Sequence, residues 1–195
     1  MQHRGFPWGR LIFFATGNMH KFNEARQILA VYDIATAVLR IKALEIQDDD
    51  MENIAKASAQ EATHKSHLPV IVEDAGLFIE VLKGFPGPYA NYVYRTIGNE
   101  GVLKILESHE DRRAHFRSVV AFCTPDRSPI CFQGTIEGRI VEEMRGSSGF
   151  GFDPIFEPAE NPGKTFGEMT PEEKNSVSHR ARALRKFAEW YRSAP

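Results

Sequence analysis

Apolar residues along this chain fall into two kinds of pattern. Short runs suggest strands, and recurrences every three to four positions suggest helices. Leu11–Ala15 is such a run and predicts a short buried strand. Phe22, Ala25, Leu29 and Tyr32 then sit at helical spacing and predict a helix over His20–Val31. Ala37–Ile41 predicts a second strand, and an acidic turn at Asp48–Asp50 leads into a helix from about Met51 to His67. "PVIVED" predicts a third strand that ends on two carboxylates, followed by a short strand over Leu77–Leu82. "KGFPGPY" is a loop by its Gly and Pro content. Tyr89–Glu107 predicts one or two helices, broken near Gly98.

A hairpin follows, with Phe116–Cys123 as one arm, "TPDRSP" as the turn and Ile130–Val141 as the other arm. The second arm alternates, with Ile130, Phe132, Ile136 and Ile140 on one face and Cys131, Gln133, Thr135, Glu137 and Arg139 on the other. A turn centred near Arg127 places Cys123 roughly opposite Cys131. "RGSSGFGFDP" is a Gly-rich loop. "TPEEK" starts the last helix, with Thr170 as N-cap, Pro171 in the first turn and Glu173 as capping-box partner. Val177, Ala181, Leu184, Ala188 and Tyr191 mark its buried stripe. Strands alternating with helices, plus one antiparallel hairpin, predict an α/β protein with a mixed sheet.

Composition narrows the classes. With 195 residues the chain can bury one sizeable core, or two small lobes sharing a cleft. Its 24 Lys+Arg against 26 Asp+Glu give a formal net charge of -2, which does not suit sequence-independent binding to long nucleic acid. A local pocket for a small anion remains open. The 2 cysteines provide neither a disulfide framework nor a four-ligand zinc pattern, and are expected to be free thiols. No apolar run approaches a membrane span, and Met1–Arg10 lacks the apolar core of a signal peptide, so the expected location is cytoplasmic.

Five stretches have residues suited to chemistry. In "ATGNMHK", a helix N-terminus offers unpaired N–H groups and roughly half a positive charge. Thr16 and Asn18 add polar side chains, Gly17 allows close approach, and Lys21 can reach back over the terminus. Together they could hold a polyphosphate, although on this stretch alone Asn18 as a plain N-cap beside a solvated Lys21 is the favoured reading. In "VIVEDAGL", Glu73 and Asp74 point to opposite sides, so at most one of them faces a cleft. Asp74 could hold Mg²⁺, which takes one or two carboxylates plus substrate phosphates, or could be a turn aspartate. In "LEIQDDD", Glu45 is the carboxylate in an apolar setting, costly unless partnered. "GFGFDPIF" offers Phe150 and Phe152 for stacking on a planar ring, or for the core. "EKNSVSHR" brings the donors Lys174, His179 and Arg180 to the last helix.

Taken in order, "TGNMHK", "LEIQ", "VEDAGL", "GFPGPY", "GFGFDPIF" and "EMTPEEKNSVSHRARAL" resemble the inosine triphosphate pyrophosphatase family, also called Ham1-like, from Leu11 to Trp190. The resemblance implies an elongated α/β fold of two lobes around a central mixed β-sheet with a deep cleft between them. It implies a single domain over residues 11–195 after an N-terminal extension of residues 1–10, and a homodimer. It also implies Mg²⁺-dependent hydrolysis of the triphosphates of inosine, deoxyinosine and xanthosine to the monophosphate and pyrophosphate. By position, the family's phosphate loop falls on Thr16, Gly17, Asn18 and Lys21, and its metal carboxylates on Glu45 and Asp74, with Asp74 also the base. The base-binding loop falls on Phe150, Gly151, Phe152 and Asp153, and the late donors on Lys174, His179 and Arg180. Where the family commonly has Ser or Thr after the metal aspartate this chain has Ala75, which keeps only a backbone N–H for phosphate. A substrate-facing lysine of the family's second helix falls on Ser58. A Maf-like pyrophosphatase of related architecture and a non-catalytic purine-nucleotide sensor are the rival readings. The "SHR" and "FGFD" blocks argue against the first, and the presence of both Glu45 and Asp74 against the second.

Overall fold

Two parallel strands, β1 (Arg10–Ala15) and β2 (Ile34–Leu39), pair along their whole length and are joined by helix α1 (Met19–Ala30). The computed structural model describes residues 10–41 and 46–193. On the other side of β1 lies β3 (Val70–Ile79), also parallel, but only Val70 and Ile71 pair with β1. Beyond them β3 runs on past the end of β1. It is held there by β5 (Arg113–Thr124), antiparallel to it from Val70↔Cys123 to Ile79↔Ala114. With β4 (Pro86–Gly87), β6 (Arg127–Ile140) and β7 (Phe156–Pro158), the mixed sheet has the order β2-β1-β3-β5-β6-β7, with β4 added to β3.

The remaining α-helices among the described residues are α2 (Met51–Ser66), α3 (Ala90–Thr96), α4 (Gly98–Ile105), α5 (Pro171–Val177) and α6 (His179–Ser193). α1 and α6 cover one face of the sheet, where Leu29, Leu184 and Phe187 pack on Phe14, Ile71, Val120 and Phe122. α2 covers the other, where Met51, Ala55, Ala59 and Ala62 pack on Val70, Val72, Val119 and Ala121. A separate core fills the far end of the long strands, where Val93 of α3 and Val102 of α4 meet Leu77, Ile79, Phe116 and Ile136. Strand alternation therefore sends Ile71 and Glu73 toward α1 and α6, and Val72 and Asp74 toward the face of α2.

Several expected boundaries shift, each for a visible reason. The third strand does not stop at its carboxylates, because pairing to β5 continues through Glu73, Asp74, Ala75 and Gly76. Only residues 80–82 leave the sheet, as a short 3₁₀ turn. β2 starts at Ile34 rather than Ala37 and ends at Leu39, limits set by pairing to β1 rather than by its weakly alternating alanines. Arg10, placed in the N-terminal extension, is the first residue of β1. The hairpin turn is Pro125–Asp126, closed by Thr124↔Arg127, so Cys131 faces Ala121 rather than Cys123. Both cysteines are free thiols.

The C-terminal stripe is not one helix. Thr170 caps α5 through the expected box with Glu173, but Ser178 breaks the helix with φ -63 and ψ 155 and accepts the Ala181 N–H at 3.2 Å. Val177 and Ala181 keep a four-residue spacing across the break, so their periodicity conceals it. The break puts His179 and Arg180 in the first turn of α6, against the sheet. Gly134 of β6 makes room for that turn, because a Cβ there would collide with the His179 carbonyl.

Candidate active site

The β1–α1 loop begins where the parallel strands end. Thr16 donates its N–H to the Leu39 carbonyl at 3.3 Å, and its Oγ1 accepts the Asn18 N–H at 3.1 Å. Asn18 is the N-cap of α1, and its Oδ1 accepts from the His20 N–H at 2.9 Å and the Lys21 N–H at 3.2 Å. The plain-cap reading of Asn18 is thus correct for the cap. It fails for Lys21, which is not solvated. The Lys21 ammonium donates to the Glu73 carbonyl at 3.2 Å and pairs with Glu73 Oε2 at 3.0 Å. Gly17 is exposed, and a Cβ on it would meet nothing within 4 Å, so the space beside the loop is open to a ligand.

Glu73 is the hub that the sequence reading left unassigned. Its side chain is 0% exposed. Oε1 accepts the Ser118 hydroxyl at 2.6 Å and lies 3.1 Å from Arg180 Nε. Burial alone would raise its pKa, but the Arg180 and Lys21 charges and the Ser118 hydrogen bond hold the carboxyl far below its usual range. From Arg180 the ionic chain continues. Nη1 pairs with Glu24 Oε2 at 2.6 Å, Lys174 pairs with Glu24 Oε1 at 2.8 Å, and Lys174 also pairs with Asp153 Oδ2 at 2.6 Å. Three cations and three carboxylates so connect α1, β3, α6, α5 and the Gly-rich loop. Against the burial that would raise it, Arg180 and Lys174 hold the Glu24 carboxyl below its ordinary value. Burial pushes Asp153 up, against the pull of Lys174 and of the Phe150 N–H. Lys174 and Arg180 are both buried. Neither ion pair of Arg180 uses Nη2.

The two phenylalanines of the Gly-rich loop divide between site and core. Phe150 is half-buried, stacked on His20 with centroids 5.1 Å apart, with Lys174 Nζ 4.8 Å and Arg180 Cζ 5.4 Å from its centroid. Its backbone N–H donates to Asp153 Oδ2 at 2.7 Å, so the carboxylate that holds Lys174 also fixes the Phe150 backbone. Phe152 is a core residue, packed edge-on against Tyr94. Gly151, at φ 65, is restrained by Asn99, which donates to its carbonyl at 3.2 Å. His179 is buried, with its ring 4.6 Å from Phe116 and 12° from parallel. Nδ1 has no hydrogen-bond partner, and burial together with the Arg180 charge holds the ring well below its usual pKa.

Asp74 lies half-buried on the opposite face from Glu73, and Ala75 follows it with Ser118 directly across on β5. Glu45 lies outside the described residues. Among the described residues no group of three or more His, Cys, Asp or Glu is placed to hold a metal ion. Mg²⁺ needs no such cage, since one or two carboxylates and substrate phosphates suffice, so the hard oxygens of Asp74 suit it. None of the candidate residues lines the hollow of about 930 Å³ between the end of α4 and the start of β5, which is bordered by Lys104, Glu107, Asp111 and Arg113.

Sequence reasoning missed Glu73, Glu24, Ser118 and Asn99 as parts of this assembly. Glu24 left no distinct signal, because an acidic residue on an amphipathic helix is ordinarily solvated. The parity of β3 placed Glu73 opposite Asp74 but could not say what it would meet.

A half-buried aromatic beside two buried cations adjoins a capped, open loop at the carboxyl edge of parallel strands. Open α/β sheets bind ligands at such edges. Fold and site together define an α/β protein of the kind that binds ligands at the carboxyl edge of its sheet. The chain belongs to the Ham1 family, whose model matches residues 12–190. It is 53% identical over 182 residues to the dITP/XTP pyrophosphatase of Methanopyrus kandleri, covering 93% of this chain and 96% of that protein. It is 49% identical over 179 residues to the dITP/XTP pyrophosphatase of Pyrococcus horikoshii, covering 92% and 95%. Among solved structures, the Ham1 protein of Staphylococcus aureus matches with TM-score 0.80 at 28% identity, over 94% of this chain and 98% of that one. A HAM1 protein from Coxiella burnetii matches with TM-score 0.80 at 30% identity, over 95% and 100%. No described helix is long and apolar enough to cross a membrane.

Proposed function

We propose that this chain hydrolyses purine nucleoside triphosphates bearing a 6-oxo group, namely ITP, dITP and XTP, to the nucleoside monophosphate and pyrophosphate. The observation that carries the reading is the unbroken ionic chain from Lys21, beside the β1–α1 loop, through Glu73 and Arg180 to Phe150 and Asp153. One structure serves both ends of a nucleotide. The curated relatives' activity supports the same substrate class.

In this reading the triphosphate lies in the open space beside Gly17. The Thr16–Asn18 loop and the backbone N–H of Ala75 give it donors, and Lys21 neutralises charge as it develops. Lys21 must exchange Glu73 for phosphate, which is feasible because its side chain is 19% exposed whereas that of Glu73 is fully enclosed. The base stacks on Phe150, with Lys174 and Asp153 fixing the ring and its edge. Arg180 presents N–H groups to the 6-oxo oxygen, and His179 backs the pocket wall. Adenine carries an amino group at that position, so donor meets donor, and arginine has no acceptor to offer. A site built on such a hydrogen bond can discriminate by up to about 10⁴-fold.

Asp74, together with Glu45, would hold Mg²⁺, which when bound supplies Lewis-acid polarisation of phosphate oxygens. Asp74 is also the carboxylate best placed to orient or deprotonate water, since Glu73 is fully engaged on the other face. The Mg²⁺ requirement, a homodimer, a cytoplasmic location and a single domain over residues 11–195 enter this proposal from the family resemblance. The test is pyrophosphate release from ITP, dITP, XTP, ATP and GTP with and without Mg²⁺. The expected result is Mg²⁺-dependent release with kcat/KM for ITP and XTP at least about 10²-fold above ATP, within the range that hydrogen-bonded sites achieve. Equal turnover of ATP and ITP would refute it.

A further inference from the structure

We propose that Glu73 is a positioning residue that couples base selection to phosphate handling, by holding Lys21 and Arg180 on the two oxygens of one buried carboxylate. Lys21 takes Oε2 and Arg180 takes Oε1, at 3.0 Å and 3.1 Å. The two cations belong to different helices, α1 and α6, and nothing in the local sequence of either fixes their separation. Glu73 fixes it. The carboxylate is itself immobilised by the Ser118 hydroxyl at 2.6 Å, and the backbone beneath it by pairing of β3 to β5. Lys21 also bonds the Glu73 carbonyl, so a single residue holds the ammonium at two points.

The consequence for selectivity is specific. Arg180 rejects an amino group only while it cannot swing aside, and its two restraints are Glu24 at Nη1 and Glu73 at Nε. Removing the Glu73 charge frees one of them. The guanidinium can then retreat from adenine, while the hydrogen bond to a 6-oxo group is less well aimed. Lys21 loses its resting partner in the same step. A residue that only stabilised the fold would lower ITP and ATP turnover together. A positioning residue changes their ratio.

This inference rests on the proposed 6-oxopurine triphosphatase activity, and the experiment separates the two. Pyrophosphate release from ITP and ATP is measured for wild type, Glu73→Gln, Glu73→Asp and Ser118→Ala, with folding followed by circular dichroism. If the wild type releases no pyrophosphate from ITP, the functional reading fails. If it does, Glu73→Gln is expected to lower the ITP-to-ATP ratio of kcat/KM by about 10-fold or more, on the scale of a misplaced polar contact. Glu73→Asp should recover part of that ratio, because it keeps the charge. Ser118→Ala should shift the ratio the same way by a few-fold, and it decides the matter if Glu73→Gln does not fold. A wild-type ratio in Glu73→Gln, or in Ser118→Ala where that variant must decide, would overturn the proposal.

Discussion

Glu73 and Asp74 are consecutive carboxylates on one strand, and their surroundings differ completely. Glu73 faces α1 and α6 with two cations and a hydroxyl around it and no exposure. Asp74 faces the other side, half-buried, on the face that α2 covers. A buried charge is tolerated only when paired, and breaking such a pair costs more than the pair contributes. Breaking the pairs of Glu73 is therefore expected to cost stability, and in the proposed mechanism the Glu73 face serves recognition and the Asp74 face serves chemistry. Strand parity alone sends two neighbouring carboxylates into different surroundings.

The contrast can be broken by substitution on each side. The largest effect is expected at Arg180. Arg180→Ala strands Glu24 and Glu73 without their common cation and should cost about 3–5 kcal/mol of stability. Urea denaturation checks this, and a loss under about 1 kcal/mol, the scale of a surface pair, would mean the network is only loosely coupled. Asp74→Asn, which keeps the side chain's shape, should remain folded while kcat falls about 10²-fold or more, as expected for loss of a key electrostatic group. An Asp74→Asn protein that unfolds early but turns over normally would reverse the assignment of the two faces.

The Gly-rich loop gives a milder version of the same test. Phe150→Ala should raise KM for ITP by roughly 10-fold, since ring stacking on a base is worth about 1–3 kcal/mol, with stability little changed. Phe152→Ala should do the opposite, costing about 3–5 kcal/mol of stability as a core truncation. The smallest expected effect is a pH slope. His179 is buried with its pKa held below the ordinary value, so the unfolded chain takes up its proton first as pH falls. The stability it contributes is fully present above about pH 6.5, its unfolded pKa, and is lost as pH falls from there toward the folded pKa. Below pH 6.5 this single group should remove stability at up to about 1.4 kcal/mol per pH unit. His179→Phe, which preserves the stack on Phe116, should flatten that slope in urea titrations between pH 6.5 and 5. An unchanged slope would mean the ring protonates as readily folded as unfolded.

Much of this arrangement could be read from the sequence because it depends on local signals. The Asn18 cap, the Thr170–Glu173 capping box, the break at Gly98 and the Pro/Gly loops all come from residues within a few positions of one another. What could not be read depends on contacts between distant segments. Periodicity carried a single helix across Ser178, although Ser178 is itself an N-cap residue and was the available clue. Alternation placed Glu73 and Asp74 on opposite faces, but which face would gather Lys21 and Arg180 depended on where α1 and α6 came to rest. Glu24 joins residues 150 and 156 positions away in sequence. The second strand and the cysteine register were misjudged because pairing partners, rather than the strands' own sequences, set their limits.

The claim at the centre of this account is that ITP is cut between the α and β phosphates. ³¹P NMR of ITP incubated with the protein and Mg²⁺ tests it most directly, since every phosphorus-containing product is seen at once. The account predicts IMP and pyrophosphate in equal amounts from the earliest time points, with no IDP. The appearance of IDP with inorganic phosphate, or ITP left intact under conditions where it binds, would contradict it.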